Sequence, residues 1–363
     1  MTNFTLPARY KRTEEEASGG FGCVIKCLDT HLERFVAIKS ISNPDDSPRM
    51  MDELSALMKL RSKHVVELYD VINYQGKGIA IVEEYVDGPS LLEVEDRILN
   101  SEDLIKILWQ ISSGISEIHS HDIIHRDIKP GNMKIDSEGV VKIYDFGLSR
   151  NVDEANTIGF KGTPTYAAPE LFLHQVAFTK SIDTYAFAVT AMFLAKTPLP
   201  PEMRVLPKKL LSNPFDNSNI QLPTQVKELL FQCLDTNPCE RPDMADVCQT
   251  LKKFVLYNSH RALLISDNTP PVIISSTNKS AAFNNSGVGT IEVKYSGSEF
   301  YISSLSGEVY VNNIAAKQYN ILPDSCVIIL GETSRPRKER VFITFDLSHP
   351  EVCYDKSDSR NSS

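Results

Sequence analysis

The chain has 363 residues, and its 38 Lys and Arg residues against 47 Asp and Glu residues give a net charge of −9. Hydrophobic residues make up 42 % and charged residues 23 % of the chain, which excludes a disordered, collagen-like or membrane-embedded protein. The acidic excess argues against a general nucleic-acid binder, which needs a basic surface. The length predicts about two domains, each large enough to bury its own core.

The seven cysteines are scattered, and Cys23 and Cys27 lack a second pair at metal-ligand spacing. We interpret all seven as thiols of a reducing compartment. No signal peptide is expected, because residues 1–12 do not run into an apolar stretch. The longest apolar segment, residues 185–195, is too short to cross a bilayer. These features predict a soluble, cytoplasmic protein with neither a membrane nor a nucleic acid as partner.

The first two thirds of the chain predict strands followed by helices. Residues 34–41 (RFVAIKSI) and 78–85 (GIAIVEEY) are strand-like. A first helix begins at Ser47, where Pro48 fits the first turn. A second begins at Ser101, with acidic residues at its positive end and an apolar face spaced as in a buried helix. A third covers about residues 182–195.

The composition changes near residue 258. Residues 259–289 are rich in Ser, Asn, Thr and Pro, which predicts a partly structured linker. Residues 290–350 alternate as in short β-strands and predict a small all-β domain. Residues 351–363 are predicted to be a disordered tail.

Two features of the first part can serve a phosphate-bearing ligand. The glycine-rich stretch from Ser18 to Val24 lets backbone N–H groups approach phosphate oxygens, although such a stretch is more often only a turn. Lys39 lies inside the apolar strand that contains Ala37. A buried ammonium needs an anionic partner, and Glu53 on the following helix is the natural candidate.

Three motifs follow in a fixed order. They are residues 125–132 (HRDIKPGN), residues 145–147 (DFG) and residues 162–170 (GTPTYAAPE). Each alone can arise by chance, but their order and spacing together make coincidence negligible.

With these motifs, residues 8–258 resemble the eukaryotic-like serine/threonine protein kinase family. The resemblance implies an α+β, two-lobed protein kinase fold with a β-rich lobe over about 8–86 and a helical lobe over about 87–258. ATP and Mg²⁺ would bind between the lobes, and protein hydroxyls would be the substrates. Lys129 and Thr163 match the serine/threonine pattern rather than the tyrosine pattern.

The resemblance also implies roles for single residues. Asp127 would accept the proton of the incoming hydroxyl, Lys129 would neutralise the transferred group, and Lys39 would hold the α/β-phosphates. Asn132 and Asp145 offer the hard oxygen ligands that Mg²⁺ prefers. The alternative for these residues is a structural hydrogen-bond cluster. The implied nucleotide-binding residues are Ser18, Gly19, Gly20, Phe21, Gly22, Val24, Ala37, Lys39, Glu53, Glu83, Glu84, Val86, Asn132 and Asp145.

The sequence departs from the family pattern at two positions. Ala17 replaces the first glycine of the phosphate loop, and we expect at most weakened ATP binding if this position does not need a positive φ. Glu83 falls at the gatekeeper position, which is usually apolar or threonine. The Glu83 carboxylate is expected to accept a hydrogen bond from the adenine amine or to share Lys39 as a cationic partner. The alternative is a one-residue register shift that leaves Glu83 exposed.

Structural and regulatory positions follow from the same resemblance. Arg241 is expected to pair with Glu170 in a buried ion pair, and Asp183 to hold the backbone of the catalytic loop. Arg126 and Arg150 are placed to receive a phosphate from the activation loop. The phosphosite candidates are Thr157 first, then Thr165 and Ser149. The alternative for Thr157 is an ordinary solvated loop residue. Two copies of the chain are also expected to associate for trans-autophosphorylation.

Residues 299–313 and 322–331 resemble strand pairs of forkhead-associated domains, which are β-sandwiches that read phosphothreonine. The stretch lacks the preceding Gly-Arg pair and the Ser-x-x-His of that family. Without these donors a phosphate reader loses its main binding energy. We interpret it as a degenerate forkhead-associated-like module, sandwich-like in fold, for protein contact or autoregulation; any other small β-domain is the alternative.

Three functions are therefore compared. An active serine/threonine kinase accounts for Lys39, Glu53, Asp127, Asn132 and Asp145 together. A pseudokinase that acts as a nucleotide-dependent scaffold or switch is the rival, favoured only by Ala17 and Glu83. Small-molecule phosphotransfer is disfavoured, because residues 162–170 shape a peptide-binding surface in protein kinases.

Overall fold

The computed structural model describes residues 6–19, 22–41, 47–73, 79–146, 150–151, 164–172, 178–266 and 269–348. The chain divides into two compact units, Met1–Leu251 and Lys252–Ser363.

The first unit opens with a five-stranded antiparallel sheet of strand order β1-β2-β3-β5-β4. Helix α1 lies between β3 and β4 in the chain, as the Ser47-Pro48 start predicts. The bounds are β1 (Tyr10–Gly19), β2 (Gly22–Asp29), β3 (Arg34–Ile41), α1 (Ser47–Lys59), β4 (Leu68–Asn73) and β5 (Ile79–Glu84).

Alternation along β3 separates the core from the functional face. Val36 and Ile38 point into a hydrophobic cluster on one side of the sheet. Ala37 and Lys39 lie on the opposite side, since side chains alternate along a strand. The register places Lys39 opposite Val24 of β2, and Ala37 opposite Glu83 of β5. One face of this sheet therefore gathers Lys39 and Glu83.

The remainder of the first unit is mainly helical. Helix α2 buries the predicted apolar face that runs from Leu104 to Ile118, and its N-cap is Asn100, whose side chain accepts from Asp103 N at 2.9 Å. Short strands pair as β6–β9 and β7–β8. The bounds are α2 (Ser101–Ser120), β6 (Ile123–Ile124), β7 (Met133–Ile135), β8 (Val141–Ile143), β9 (Arg150–Asn151), α3 (Ser181–Leu194), α4 (Thr224–Gln232) and α5 (Met244–Val255).

The second unit contains two antiparallel sheets. Their strand orders are β11-β10-β18-β17-β15-β16 and β12-β13-β14, and residues from both sheets share one hydrophobic cluster that includes Leu264, Phe345 and Phe300. The bounds are β10 (Arg261–Ser266), β11 (Thr269–Ile274), β12 (Ser280–Asn285), β13 (Gly289–Tyr295), β14 (Phe300–Gly307), β15 (Val309–Val311), β16 (Ile314–Ala315), β17 (Ser325–Leu330) and β18 (Val341–Ser348).

The structure corrects the predicted linker over residues 259–289, because β10, β11 and β12 lie within it. Pro270 and Pro271 suggested irregular chain, but β11 is an edge strand, where proline is tolerated because no second neighbour needs its N–H. In β10, inward Leu264 and outward Leu263 are both apolar, so the alternation is hidden in the sequence.

In the described part of the chain, no helix is long and apolar enough to cross a membrane. Five of the seven cysteines are described, and they are thiols rather than disulfides. The other two, Cys23 and Cys353, are not among the residues for which side chains are described.

Candidate active site

Lys39 joins three distant parts of the chain. Its Nζ donates to Glu53 Oε1 at 2.7 Å and to Asp145 Oδ1 at 2.8 Å. The residues come from β3, α1 and the segment after β8, so the predicted Lys39–Glu53 ion pair is present. Burial alone lowers the pKa of Lys39, but the carboxylates of Glu53 and Asp145 outweigh it and raise the pKa above its ordinary value. The ammonium is therefore held charged.

Phe146 connects α1 to the loop that carries Asp127. Its backbone N–H donates to the Glu53 carboxylate, and its side chain is fully buried. The His125 ring packs against the Phe146 ring at 4.7 Å between centroids, in an edge-to-face arrangement. The orientation of Asp145, directly before Phe146, is thereby tied to His125. The sequence alone gave His125 no such role.

Asp127 is buried, and its carboxylate is held by two neighbours. Lys129 Nζ donates to Oδ2 at 2.6 Å, and Asn132 Nδ2 donates to the same oxygen at 2.9 Å. Asn132 Nδ2 also donates to the backbone oxygen of Asp127 at 2.8 Å, which closes the loop on itself. The structure therefore brings Asp127, Lys129 and Asn132 together in one cluster.

Asp183 on α3 binds the backbone of the loop that carries Asp127. Its Oδ2 accepts from the backbone N of His125 at 2.8 Å, and its Oδ1 accepts from the backbone N of Arg126 at 2.9 Å. The predicted contact with the catalytic-loop backbone is confirmed. His119 Nε2 lies 2.9 Å from Oδ2, a contact for which the sequence carried no motif. Burial alone raises the pKa of Asp183, but His119 and His125 outweigh it and lower the pKa.

Two backbone positions beside the cluster are left-handed. Arg126 has φ 71° and Asp145 has φ 68°. Residues other than glycine adopt this region at a cost of about 1–3 kcal/mol, and such conformations persist where surrounding contacts fix them. Here the hydrogen bonds that the Arg126 N–H donates to Asp183 and that Lys39 Nζ donates to Asp145 supply those contacts.

Glu170 and Arg241 form the predicted buried ion pair. Arg241 Nη1 donates to Glu170 Oε1 at 2.6 Å, and Nη2 donates to Oε2 at 2.8 Å, in the two-pronged geometry that favours arginine. Arg241 also donates to the backbone oxygens of Ser181 and Asp235. This network attaches the end of segment 164–172 to α3 and to the loop before α5.

Glu83 is buried, with only 7 % of its surface exposed. Its position opposite Ala37 contradicts the alternative of a register shift that leaves it in solvent. Its Oε2 has no hydrogen-bond partner among the described residues. Burial, together with repulsion from Glu53, raises the pKa of Glu83 to about 8 despite the attraction of Lys39. A neutral carboxylic acid therefore stands beside Lys39 at neutral pH.

The oxygen donors near Asp127 fit a magnesium ion. The Asn132 amide nitrogen is directed at Asp127, which leaves its Oδ1 available to a cation. The Asp145 side chain is 28 % exposed, so its carboxylate reaches solvent as well as Lys39. Among the residues that the structure describes, no three His, Cys, Asp or Glu side chains are grouped to hold a metal. An ion here would need further oxygens from phosphate or water, as Mg²⁺ commonly uses.

The glycine-rich turn is described at its two sides. Gly19 pairs with Gly22 and Ala17 with Val24, while Gly20 and Phe21 lie outside the described residues. Ala17 is part of the extended strand β1, a conformation that alanine adopts without strain. Position 17 therefore does not require a glycine.

The other predicted residues are placed as follows. The Glu84 carboxylate accepts from Lys142 Nζ at 2.9 Å, and Val86 is buried just after β5. Thr165 is exposed. Ser149, Thr157 and Thr163 lie outside the described residues, and of Arg150 only the backbone in β9 is described.

Comparisons with known proteins agree with this geometry. Residues 10–251 match the family model described as "Protein kinase domain". The chain is 35 % identical over 202 residues to the human protein named "Cyclin-dependent kinase-like 2". This alignment covers 53 % of the chain and 41 % of the human protein. It is 31 % identical over 252 residues to a protein from Dictyostelium discoideum named "Probable serine/threonine-protein kinase", covering 66 % of this chain and 50 % of the relative.

The chain thus spans about half the length of the curated relatives that it matches. The matched region, residues 10–251, contains Lys39, Glu53, Asp127, Asn132 and Asp145. On this match and this geometry, the chain belongs to the protein kinase domain family.

Proposed function

We propose that this protein is a serine/threonine protein kinase that transfers the γ-phosphate of ATP to protein hydroxyls with the help of Mg²⁺. One observation carries the proposal. The Asp127 carboxylate is held by Lys129 and Asn132 in a loop anchored by Asp183, and the Lys39–Glu53–Asp145 cluster belongs to the same unit. Phosphoryl transfer needs this combination of fixed cations, metal ligands and a base.

Each side chain then has a defined task. Lys39, held charged by Glu53, neutralises the α- and β-phosphates of the nucleotide. Asn132 Oδ1 and the Asp145 carboxylate would hold Mg²⁺, which would offset the charge of the phosphate oxygens. Because Asp145 also binds Lys39, the lysine and the metal ligand are positioned by one contact.

Asp127 provides the base. As the hydroxyl oxygen of a serine or threonine bonds to the γ-phosphorus, the bond from phosphorus to the β,γ-bridging oxygen breaks and ADP leaves. The hydroxyl proton passes to the Asp127 carboxylate. Lys129, 2.6 Å from that carboxylate, offsets the negative charge on the transferred group.

A nucleotide-dependent pseudokinase is the second candidate. The features that favour it are Ala17 in the phosphate loop and buried Glu83 beside Lys39. Ala17 lies in an extended strand that tolerates alanine, which leaves Glu83 as the feature in its favour. The cluster around Asp127 supports catalysis, since a scaffold that only binds nucleotide has no use for a base.

The test is mass spectrometry of the full chain after incubation with Mg-ATP. We expect phosphoserine or phosphothreonine in the wild type and none in Asp127→Asn. Asp96→Asn is the matched control, because the Asp96 side chain is 97 % exposed and its ion pair in the described part of the chain is with Lys196. Nucleotide binding without any transfer by the wild type would favour the pseudokinase.

Regulation and the second unit complete the proposal. We infer that Thr157 is autophosphorylated between two copies of the chain, with Thr165 and Ser149 as further candidates. Protein substrates would dock on the kinase unit.

The second unit has two sheets around one core. This arrangement supports a forkhead-associated-like β-domain that serves protein contact or autoregulation.

A further inference from the structure

Lys208 is a buried lysine that the proposed chemistry does not use. It lies in the loop between α3 and α4, and only 5 % of its surface is exposed. Its Nζ donates to the backbone oxygen of Ala167 at 2.7 Å and to that of Pro164 at 3.1 Å. The lysine therefore binds the backbone of a segment that precedes it by about forty residues in the chain.

The ammonium is enclosed by aromatic rings. The Phe172 ring centroid lies 4.9 Å from Nζ, and the Tyr185 ring centroid lies 5.9 Å away, both within the range of a cation–π interaction. Burial lowers the pKa of Lys208, while the charge of Glu170 opposes that shift. A lysine placed among rings and carbonyls is a specific anchor, since an ammonium without such partners is costly to bury.

The backbone at Lys208 is also unusual. Its φ is 58°, in the left-handed region that residues with a side chain avoid, and its N–H donates to Val205 O at 2.8 Å. This conformation is less favourable than the right-handed region, because it brings Cβ too close to the following carbonyl oxygen. The contacts of the inward-pointing side chain offset that cost, which ties the loop conformation to the position of segment 164–167.

Segment 164–172 adjoins the proposed base. A small cavity of about 10 Å³ has Arg126, Asp127, Tyr166, Ala167 and Ala168 among its lining residues. The room is that of roughly one water molecule, so the two backbones are close neighbours. A shift of Ala167 therefore changes the surface directly beside Asp127.

Segment 164–172 is held at two ends. Arg241 holds Glu170 near its end, and Lys208 holds Pro164 and Ala167 at its beginning. Without the Lys208 amine, Ala167 O would lose the hydrogen bond from Lys208, whereas Pro164 O would still accept one from Ala167 N at 3.3 Å. A buried carbonyl that loses its partner costs enough free energy to move the backbone toward other donors.

We propose that Lys208 is a positioning residue for the protein substrate: it fixes the backbone of residues 164–167 and so sets the affinity for peptides that present serine or threonine beside Asp127. This inference rests on the proposed kinase function. Among the described residues, the hydrogen bonds of Lys208 go to Pro164 O and Ala167 O and not to the Asp127 cluster, so we expect nucleotide affinity to be independent of Lys208.

The test compares Lys208→Met, Lys208→Arg and the control Lys209→Met in the full chain. Lys209 is the exposed neighbour of Lys208, so its substitution removes an equal charge without touching the segment. The probe is the serine- or threonine-containing peptide that the wild type phosphorylates best from an array. Steady-state kinetics give KM for the peptide and for ATP separately. Hydrogen exchange reports on the backbone of residues 164–172.

We expect Lys208→Met to raise the peptide KM about tenfold while the ATP KM stays within about twofold. Lys208→Arg is expected to recover most of the peptide affinity, because a guanidinium also donates to carbonyls, and Lys209→Met to match the wild type. A wild-type peptide KM in Lys208→Met would overturn the inference, as would equal rises in both KM values.

Hydrogen exchange separates this inference from the proposed function. If the wild type itself transfers no phosphate, the kinase proposal fails, whatever the Lys208 variants do. Faster exchange over residues 164–172 in Lys208→Met than in Lys209→Met still supports the anchor, and equal exchange contradicts it. If Lys208→Met does not fold, Lys208→Gln takes its place against Lys209→Gln, and the peptide KM and the exchange over residues 164–172 are judged in the same way.

Discussion

Glu83 lies directly opposite Ala37 across the β3–β5 pair, which puts a buried carboxyl group on the same face as Lys39. Lys39 already binds Glu53 and Asp145. One cation therefore faces three carboxyl groups, and raising the pKa of Glu83 to about 8 removes one negative charge from the cluster at neutral pH.

This arrangement predicts a pH-dependent stability. Because the pKa of Glu83 is higher in the folded than in the unfolded chain, the folded state binds an extra proton between about pH 4.5 and 8. The free energy of unfolding should therefore fall as the pH rises through this window, by at most on the order of 1 kcal/mol per pH unit. Glu83→Gln should make the free energy of unfolding depend less steeply on pH, and urea unfolding at several pH values measures this dependence.

Exposed Glu102→Gln is the control for that measurement, and its slope should equal that of the wild type. Equal slopes for Glu83→Gln and the wild type would show that Glu83 does not take up a proton on folding.

The same carboxyl group should matter for nucleotide binding. Its Oε2 has no partner among the described residues, so an amine on the ligand would satisfy a group that is otherwise costly to bury. Glu83→Met should weaken ATP binding about five- to tenfold and reduce the preference for adenine over 6-oxopurine nucleotides. Calorimetric titration with both nucleotides measures this, and unchanged preference would place the amine elsewhere.

The Glu170–Arg241 pair should be a main determinant of stability. Arg241→Met leaves the Glu170 carboxylate buried and unpaired, which should lower the free energy of unfolding by about 3–5 kcal/mol. Asp96→Ala removes the exposed pair with Lys196 and should cost less than about 1 kcal/mol. Chemical denaturation of both variants is the measurement, and similar losses in the two would contradict the buried-pair account.

The sequence predicted the first unit well because its signals are local. The strand predicted over residues 34–41 coincides with β3, and the helix predicted at Ser101 begins there. The strands β10 and β11 were missed for physical reasons. Apolar residues point to both sides of β10, and the prolines of β11 are permitted only because that strand lies at a sheet edge, which tertiary structure decides.

Some residues of the candidate site could be predicted from the sequence, and others depend on the tertiary structure. The Lys39–Glu53 pair could be anticipated from a lysine inside an apolar strand, and the Glu170–Arg241 pair from the family resemblance. Lys208 and His119 could not, because neither belongs to a motif and each acquires its role from residues distant in the chain. The burial of Glu83 needed the strand register, since a shift of one residue moves a side chain to the other face.

Activation should depend on Thr157. A phosphate there would be offered to Arg126 and Arg150, and charge-assisted bonds of this kind order a loop. Thr157→Ala should lower kinase activity several-fold, and Thr157→Glu should restore part of it. Initial rates with one peptide substrate provide the measurement, and wild-type activity in the alanine variant would remove Thr157 from the account.

The second unit should not read phosphothreonine. Arg335 is a candidate hydrogen-bond donor to a bound phosphate, but it already donates to the Glu308 carboxylate through two hydrogen bonds of 2.6 and 2.7 Å. That pair holds the pKa of the Glu308 carboxyl near 2, so it stays charged at neutral pH. A phosphothreonine peptide array probed with the full chain as Asp127→Asn should show no binding above that of dephosphorylated peptides. Tight, sequence-specific binding would contradict this prediction.

The central claim is that Asp127 acts as the base of phosphoryl transfer in a site that binds Mg-ATP. It is tested most directly by the transfer of labelled γ-phosphate to serine and threonine, with wild type and Asp127→Asn compared at equal nucleotide occupancy. We expect the wild type to transfer the label and Asp127→Asn to bind the nucleotide but transfer at least about a hundredfold more slowly. Equal rates, or no transfer by a nucleotide-loaded wild type, would contradict the account.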